Sequence, residues 1–405
     1  MSVQRTGTVV IGGGLMGCWT ALMLRRKGHP VVVLEKGAVG AQASGVNYGN
    51  LRLQGRHPRQ LLLAIRAHEI WERLADFIGE WCEFEATGHL YVAHNNPQDI
   101  AKAEASARDA AAHGIATELL DAAQIRARWP WLRGFEAASW SPRDAVANPR
   151  LVTPAVARAA RALGAEVREG TRVRAARFLG DRFQVETDAG LRIDADHLVN
   201  AAGAWAAEVA GWFGETAPLF AAGPPQFVTD AVPYFIHPSV QAVDGSVIFR
   251  QVRLGHVVVA GYPRGASDAV ANRAPVDPRR TLATMRHLLD AVPALAGAAL
   301  LRVWSGIEGY LPDMLPVIGP SVTTPGLLHA FGFCGHGFQR GPGVGAGPAD
   351  TIFHGASATP TDAFAVARFA DGSASEAEHL RREFDAALLA RTIGATDTRM
   401  TGAAR

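Results

Sequence analysis

The first signal in the chain is a long uncharged run. Residues 6–24 hold no Asp, Glu, Lys or Arg, a length close to a membrane span. The pattern inside the run is not that of a membrane helix. Thr8, Val9, Val10 and Ile11 are four β-branched residues in a row, the composition of a strand buried on both faces. Gly12, Gly13, Gly14 and Gly17 then interrupt it, and apolar positions resume over 15–27 as a helix. Gly28 and Pro30 close that helix, a glycine at the usual left-handed stop and a proline just beyond. A second apolar block over 31–34 reads as another buried strand and stops at Glu35. Strand, tight turn, helix and strand fall within about 30 residues, the size of one βαβ unit. No small-x-small cleavage site follows, and Arg25-Arg26-Lys27 ends the run. A βαβ unit in a cytoplasmic protein is therefore expected, not a signal peptide or anchor.

The pattern further along is weaker but continuous. A helix is expected over 150–164, with short strands over 165–167 and 198–200. Residues 223–264 read as several short strands separated by Asp244-Gly245 and Leu254-Gly255, the rhythm of an antiparallel sheet. A helix over 280–292 and a strand over 327–331 follow. A glycine-rich turn after that strand should lead into a helix. Gly345-Ala346-Gly347-Pro348 is poor helix sequence, so a kinked or delayed start is expected. A charged amphipathic helix over 376–391 and a loose end from Thr392 complete the reading.

Composition narrows the class. Glycine supplies 43 of 405 residues, against about 7% of an average chain. Apolar residues at 48% and charged residues at 19% exclude a disordered chain. The three cysteines, Cys18, Cys82 and Cys334, form no CxxC pair and are too few to staple a chain of this length. The fourteen histidines show no metal-binding spacing. The formal charge of +2 gives no electrostatic case for nucleic acid.

The glycine spacing carries the chemistry. Gly12, Gly14 and Gly17 form G-x-G-x-x-G between the first strand and the helix. Gly12 permits the tight turn, Gly14 lets backbone approach a pyrophosphate, and Gly17 lets the helix pack on the strand. Leu15 and Met16 then offer N–H groups at the helix N-terminus, where the dipole favours an anion. Glu35 can accept the hydrogen bonds of a ribose hydroxyl and would repel a 2′-phosphate, which disfavours NADP. Lys36 stands next to it.

The stretch after Lys36 separates two cofactors. Residues 37–55 read GAVGAQASGVNYGNLRLQG, without the regular βαβ continuation of an NAD domain. Here the chain resembles the FAD-dependent amino acid and amine oxidoreductases of the D-amino acid oxidase superfamily, in its glycine oxidase, sarcosine oxidase and D-amino acid dehydrogenase branch. Three further segments carry the likeness: DHLVNAAGAW over 196–205, RVWSGIEGYLPDMLPVIG over 302–319, and LHAFGFCGHGFQRGPGVG over 328–345. The resemblance implies an α/β fold, with a Rossmann-like FAD-binding domain (1–85, 146–220 and 300–370) interleaved with an antiparallel-sheet α+β substrate domain (86–145 and 221–299). Residues 371–405 would lie outside both.

The same resemblance implies the cofactor contacts. Ala43, Ser44, Gly45, Asn47 and Gly49 would meet the flavin diphosphate and ring, and Val173 the adenine. Ala201, Ala202, Gly203 and Trp205 would pack against the dinucleotide. Gly335 and His336 would bind the cofactor, and Gly337, Phe338 and Gln339 would offer N–H groups to the flavin. Gly306 takes the place at which some relatives carry a cysteine linked to flavin, so non-covalent FAD is expected. The implied reaction is oxidation of a C–N bond, with hydride transfer to flavin N5 and hydrolysis of the resulting imine. Electrons would pass to oxygen or to a redox partner. The alternative is the flavoprotein subunit of a hetero-oligomeric opine- or hydroxyproline-type dehydrogenase. A homo- or hetero-oligomer is compatible with either.

Substrate residues depart from the pattern. Glu308 stands where glycine-oxidase-like relatives place an arginine for the substrate carboxylate. It either recognises a cationic or hydroxyl group, or turns to an internal arginine such as Arg302 or Arg250. Arg52, Arg250 and Arg264 are the candidates for a carboxylate, and Tyr48, Tyr262 and Tyr310 for closing the pocket. Cys334 and His336, two residues apart on a glycine-rich turn, would point apart and lack a third group, so a nucleophile–base pair is not expected.

Overall fold

The computed structural model describes residues 4–261 and 264–370. Tyr262, the helix expected over 376–391 and the end from Thr392 lie outside the described residues.

Strand β1 (Gln4–Ile11) forms the middle of an eight-stranded sheet. It runs parallel to β2 (Val31–Leu34) on one side and to the Arg192–Asn200 strand on the other. Ile11 faces both Leu34 and Asn200, so three strands end in register. The Leu327–Phe331 strand extends the parallel set from near the other end of the chain. A strand with parallel neighbours is covered on both faces, which is why residues 8–11 need no polar alternation and are all buried.

Helix α1 (Leu15–Arg26) covers one face and packs against the Gly337–His354 and Pro149–Ala162 helices. Trp19, Leu22 and Leu24 are fully buried in this layer, each contributing about 1.5–3 kcal/mol of hydrophobic stabilisation. The Gly337–His354 helix shows no delayed start. It runs unbroken for 18 residues through Pro342 and Pro348. The reason is packing. A Cβ on Gly341 would come within 2.4 Å of the Leu15 side chain, and one on Gly345 within 2.3 Å of Trp19. The glycines that weaken helix propensity let this helix lie against α1.

A second eight-stranded sheet holds Leu300–Trp304, Gln226–Ala231, His256–Ala260, Ile248–Gln251, Ser239–Ala242, His89–Ala93, Ala137–Ser141 and Glu118–Asp121, in that order. Every neighbouring pair is antiparallel except Ser239–Ala242 with His89–Ala93. The Leu300–Trp304 strand sits at its edge, so this sheet continues past residue 299. The Pro278–Ala291 helix packs on it through Leu288. Two small ladders join the halves. Asn50–Leu51 pairs with Ala145–Val146, and Phe220–Gly223 pairs with both Gly265–Ala266 and Glu308–Tyr310. No helix among the described residues is long and apolar enough to cross a membrane.

Candidate active site

A single long cavity of about 1080 Å³ opens where β1, β2 and the Arg192–Asn200 strand end. This is the crevice beyond the carboxyl ends of parallel strands where α/β sheets bind ligands. Its volume slightly exceeds the usual range for a drug-sized ligand.

One end is built for a dinucleotide. Gly12 has φ +110°, and a Cβ there would lie 2.4 Å from the Ala201 carbonyl oxygen, so only glycine fits the turn. Helix α1 begins behind it with no acidic residue in its first turn, and Gly12, Gly14, Leu15 and Met16 line the cavity. The Leu15 N–H is held by Ser44 Oγ at 2.9 Å. Glu35 accepts the N–H groups of Gly13 and Gly37, each at 2.7 Å. That fixes its carboxylate at the cavity wall beside Lys36 and Val173. Lys36 Nζ sits 3.0 Å above the Trp205 ring, and burial draws its pKa down to about 8. Ala43, Ser44, Asn47, Ala201, Ala202, Gly203 and Trp205 complete this wall.

Several expected contacts act one layer back. A Cβ on Gly17 would be 1.9 Å from the Gly12 oxygen, so Gly17 seats the helix and does not line the cavity. Gly45 and Gly49 crowd the Gly40 and Ala147 carbonyls in the same way. Asn47 pins that turn, donating to the Ala43 and Ser44 carbonyls and accepting from the Gly49 N–H. A Cβ on Gly306 would lie 2.1 Å from Val46 Cγ2, so a side chain there has no room.

The other end is cationic. Gly335, His336, Gly337, Phe338 and Gln339 line it at the start of the Gly337–His354 helix. Arg52 directs Nη1 to the Gln54 and Gly55 carbonyls at 2.5 and 2.6 Å and places Nη2 3.4 Å from His336 Nε2. Arg56 donates through Nε and Nη2 to the Arg52 carbonyl at 3.2 and 2.9 Å. Arg340 donates to the His336 and Phe333 carbonyls. Burial, followed by Arg56, Arg52, Arg340 and Arg264, holds the His336 ring well below its usual pKa, and hence neutral.

Glu308 lines the cavity near this end, and its Oε2 accepts the Tyr310 hydroxyl at 2.5 Å. Tyr310 in turn accepts from Arg264 Nε at 2.6 Å. The arginine that reaches Glu308 is thus Arg264, through Tyr310, and not Arg250 or Arg302. Arg250 is turned away from the cavity. It donates to the Tyr48 and Ala147 carbonyls, and burial lowers its pKa to about 10. Tyr48 lines the cavity, whereas Tyr310 is buried behind it. Cys334 has φ +52°, donates to the Gly332 carbonyl and accepts the Leu311 N–H, which pins the turn. Among the described residues no cluster could hold a metal ion.

Sequence reasoning passed over Arg56, Gln226 and Gln241, all of which line the cavity. Each left a faint signal. Arg56 follows Arg52 by four residues, and each glutamine stands next to an apolar residue, Phe227 or Val240, in a short strand.

A dinucleotide cradle at the switch point of a parallel sheet, walled by a second antiparallel sheet, defines a flavoprotein-type two-sheet fold. Residues 8–350 match the family described as "FAD dependent oxidoreductase" (DAO), and the chain belongs to it. Human mitochondrial dimethylglycine dehydrogenase is 28% identical over 379 residues, covering 87% of this chain and 43% of that protein. Sarcosine oxidase subunit beta of Rhizobium meliloti (strain 1021) is 28% identical over 382 residues, covering 90% of this chain and 88% of that one. The structure of L-proline dehydrogenase from P. horikoshii superposes with a TM-score of 0.85 at 25% identity, covering 92% of this chain and 99% of that one. The chain spans less than half the length of the first curated relatives it matches.

Proposed function

We propose that the protein oxidises the C–N bond of a carboxylate-bearing amine or amino acid, with non-covalently held FAD. The observation that carries this reading is the charge of the cavity. Arg52, Arg56 and Arg264 line its far end, and Glu308 is the carboxylate among them. An anionic substrate group offsets these cations, whereas a polyamine would meet repulsion. The dinucleotide end fits FAD through the Gly12–Gly17 turn, the start of α1 at the cavity wall and Glu35. The crowding of Gly306 by Val46 argues against a covalent tether there.

FAD, when bound, supplies the hydride acceptor, and the protein supplies orientation and electrostatics. Arg52 and Arg56 would bind the carboxylate and so fix which carbon faces the acceptor. Glu308 would meet the amine, with Tyr310 and Arg264 setting the direction of its carboxylate. The first turn of the Gly337–His354 helix holds no acidic residue, so its positive end favours negative charge developing beside it.

The test is anaerobic bleaching of the flavin absorbance of purified protein. N-methyl amino acids and amino acids should bleach it, and polyamines of similar size should not. A colourless protein that gains no flavin on incubation with FAD would sink the reading, as would bleaching by polyamines alone. A second reading, a flavoprotein subunit handing electrons to a partner, is favoured by the near full-length match to a protein named as a subunit. Turnover with a dye acceptor but none with oxygen would select it.

A further inference from the structure

Behind the arginine pair lies a buried polar cluster that the reaction as described does not use. Asp144 is fully buried in the turn that leaves the Ala137–Ser141 strand. Its Oδ1 accepts the Leu53 N–H and the Ser141 hydroxyl, both at 2.9 Å. Its Oδ2 has no hydrogen-bond partner among the described residues. The group nearest to a countercharge is His89, whose Nδ1 is 3.9 Å away.

His89 does not serve as that countercharge. It is fully buried, and burial, then Arg52 and Arg56, hold its ring well below the usual imidazole range, hence neutral. The Gln54 amide nitrogen, 3.1 Å from Nδ1, has the His89 and Ser139 carbonyls as acceptors for its two hydrogens. Asp144 is left with the two cavity arginines as the cations it acts on, across a gap longer than an ion pair. Its two hydrogen-bond donors, the Leu53 N–H and the Ser141 hydroxyl, do not titrate.

We propose that Asp144 is a positioning residue: it anchors the segment that carries Arg52 and Arg56, and its buried charge sets how tightly that pair holds an anion. The first half follows from the hydrogen bond to Leu53 N, which lies between the two arginines in the chain. The second follows from placement. A negative charge behind the pair weakens its pull on a carboxylate in front of it. Burial pushes the Asp144 carboxyl up to about 6, against the opposing pull of the Leu53 N–H, Ser141 and both arginines. The countercharge is thus removable within the range where the protein can be assayed.

This inference rests on the proposed carboxylate subsite, and the experiment separates the two. The probe is methoxyacetate, which stays ionised across the range, titrated into the FAD-loaded protein and read by its perturbation of the flavin spectrum. For the wild type, affinity should rise about tenfold as pH falls from 8 to 5, the effect of one unit charge across a semi-polar interior. Asp144→Asn keeps an oxygen for the Leu53 N–H and removes the charge. It should bind methoxyacetate about tenfold more tightly at pH 8, with the pH dependence flattened. Asp144→Ala, which also removes the anchor, should bind it more weakly than Asp144→Asn. A purely structural role would loosen binding in both variants. Wild-type affinity that is flat between pH 8 and 5, or an Asn variant that binds no more tightly, would overturn the proposal while leaving the carboxylate subsite standing. Absence of any spectral response at any pH would remove both.

Discussion

At the scale of single residues, the site is an argument between cations and their few partners. Glu308 touches the cavity and the Tyr310–Arg264 chain at once. Glu308→Gln preserves its shape and its contact with Tyr310 but loses the charge offered to an amine. We expect KM to rise about tenfold or more, the value of one charge-assisted hydrogen bond, with FAD content unchanged. An unaltered KM would place the amine elsewhere. Asp144 makes a separate prediction about stability. Its pKa lies near 6 in the folded state, above the ordinary value of 3.8. The folded protein therefore takes up this proton more readily than the unfolded chain. The charged form costs up to about 3 kcal/mol, a cost present above pH 6 and relieved as pH falls toward 4. Asp144→Asn should accordingly melt higher than wild type at pH 8, and the gap should close by pH 4. A lower melting temperature at pH 8 would contradict this. These residues were unevenly legible. Arg250 looked as good in the sequence as Arg264, and only the fold turns one to the Tyr48 carbonyl and the other to the cavity. Arg56 and Asp144 carried no motif at all.

At the scale of elements, β1, α1 and β2 follow from local pattern, because four β-branched residues, a glycine turn and an apolar run closed by Gly28 and Pro30 specify them without outside help. The Gly337–His354 helix is the opposite case. Its own composition argues against it, and its neighbours impose it. That contrast yields a test. Gly345→Ala should raise intrinsic helix propensity by about 1 kcal/mol. The new methyl would come within 2.3 Å of Trp19 Cβ and 2.8 Å of the Trp19 carbonyl carbon, and overpacking of that kind costs about 1–3 kcal/mol. Net destabilisation is expected, read as a lower midpoint in denaturant. A gain in stability would show that the interface with α1 is looser than described.

At the scale of the whole molecule, the chain crosses repeatedly between two sheets, and local sequence cannot reveal which strands pair. The Leu300–Trp304 strand shows why. Nothing in LLRVW indicates that it joins the Gln226–Ala231 strand, with which it pairs in antiparallel register. The family likeness supplied that long-range information in outline. The cavity between the sheets also bears on how the flavin is held. With Val46 filling the space beside Gly306, acid precipitation should leave all the flavin in the supernatant. Yellow colour retained in the pellet would mean a covalent link.

The parallel sheet places a strand from residues 4–11 two positions away from one at 327–331, and the cavity is lined by both Gly12 and Gly337. During synthesis, the first half of the cradle therefore leaves the ribosome long before the second half exists. Flavin capture becomes a late event, coupled to completion of the sheet and not to emergence of the G-x-G-x-x-G turn. A cell short of flavin would then accumulate chains whose early βαβ unit is made but whose final strand and helix have less to hold them. Those late segments are where proteolysis of the flavin-free protein should begin.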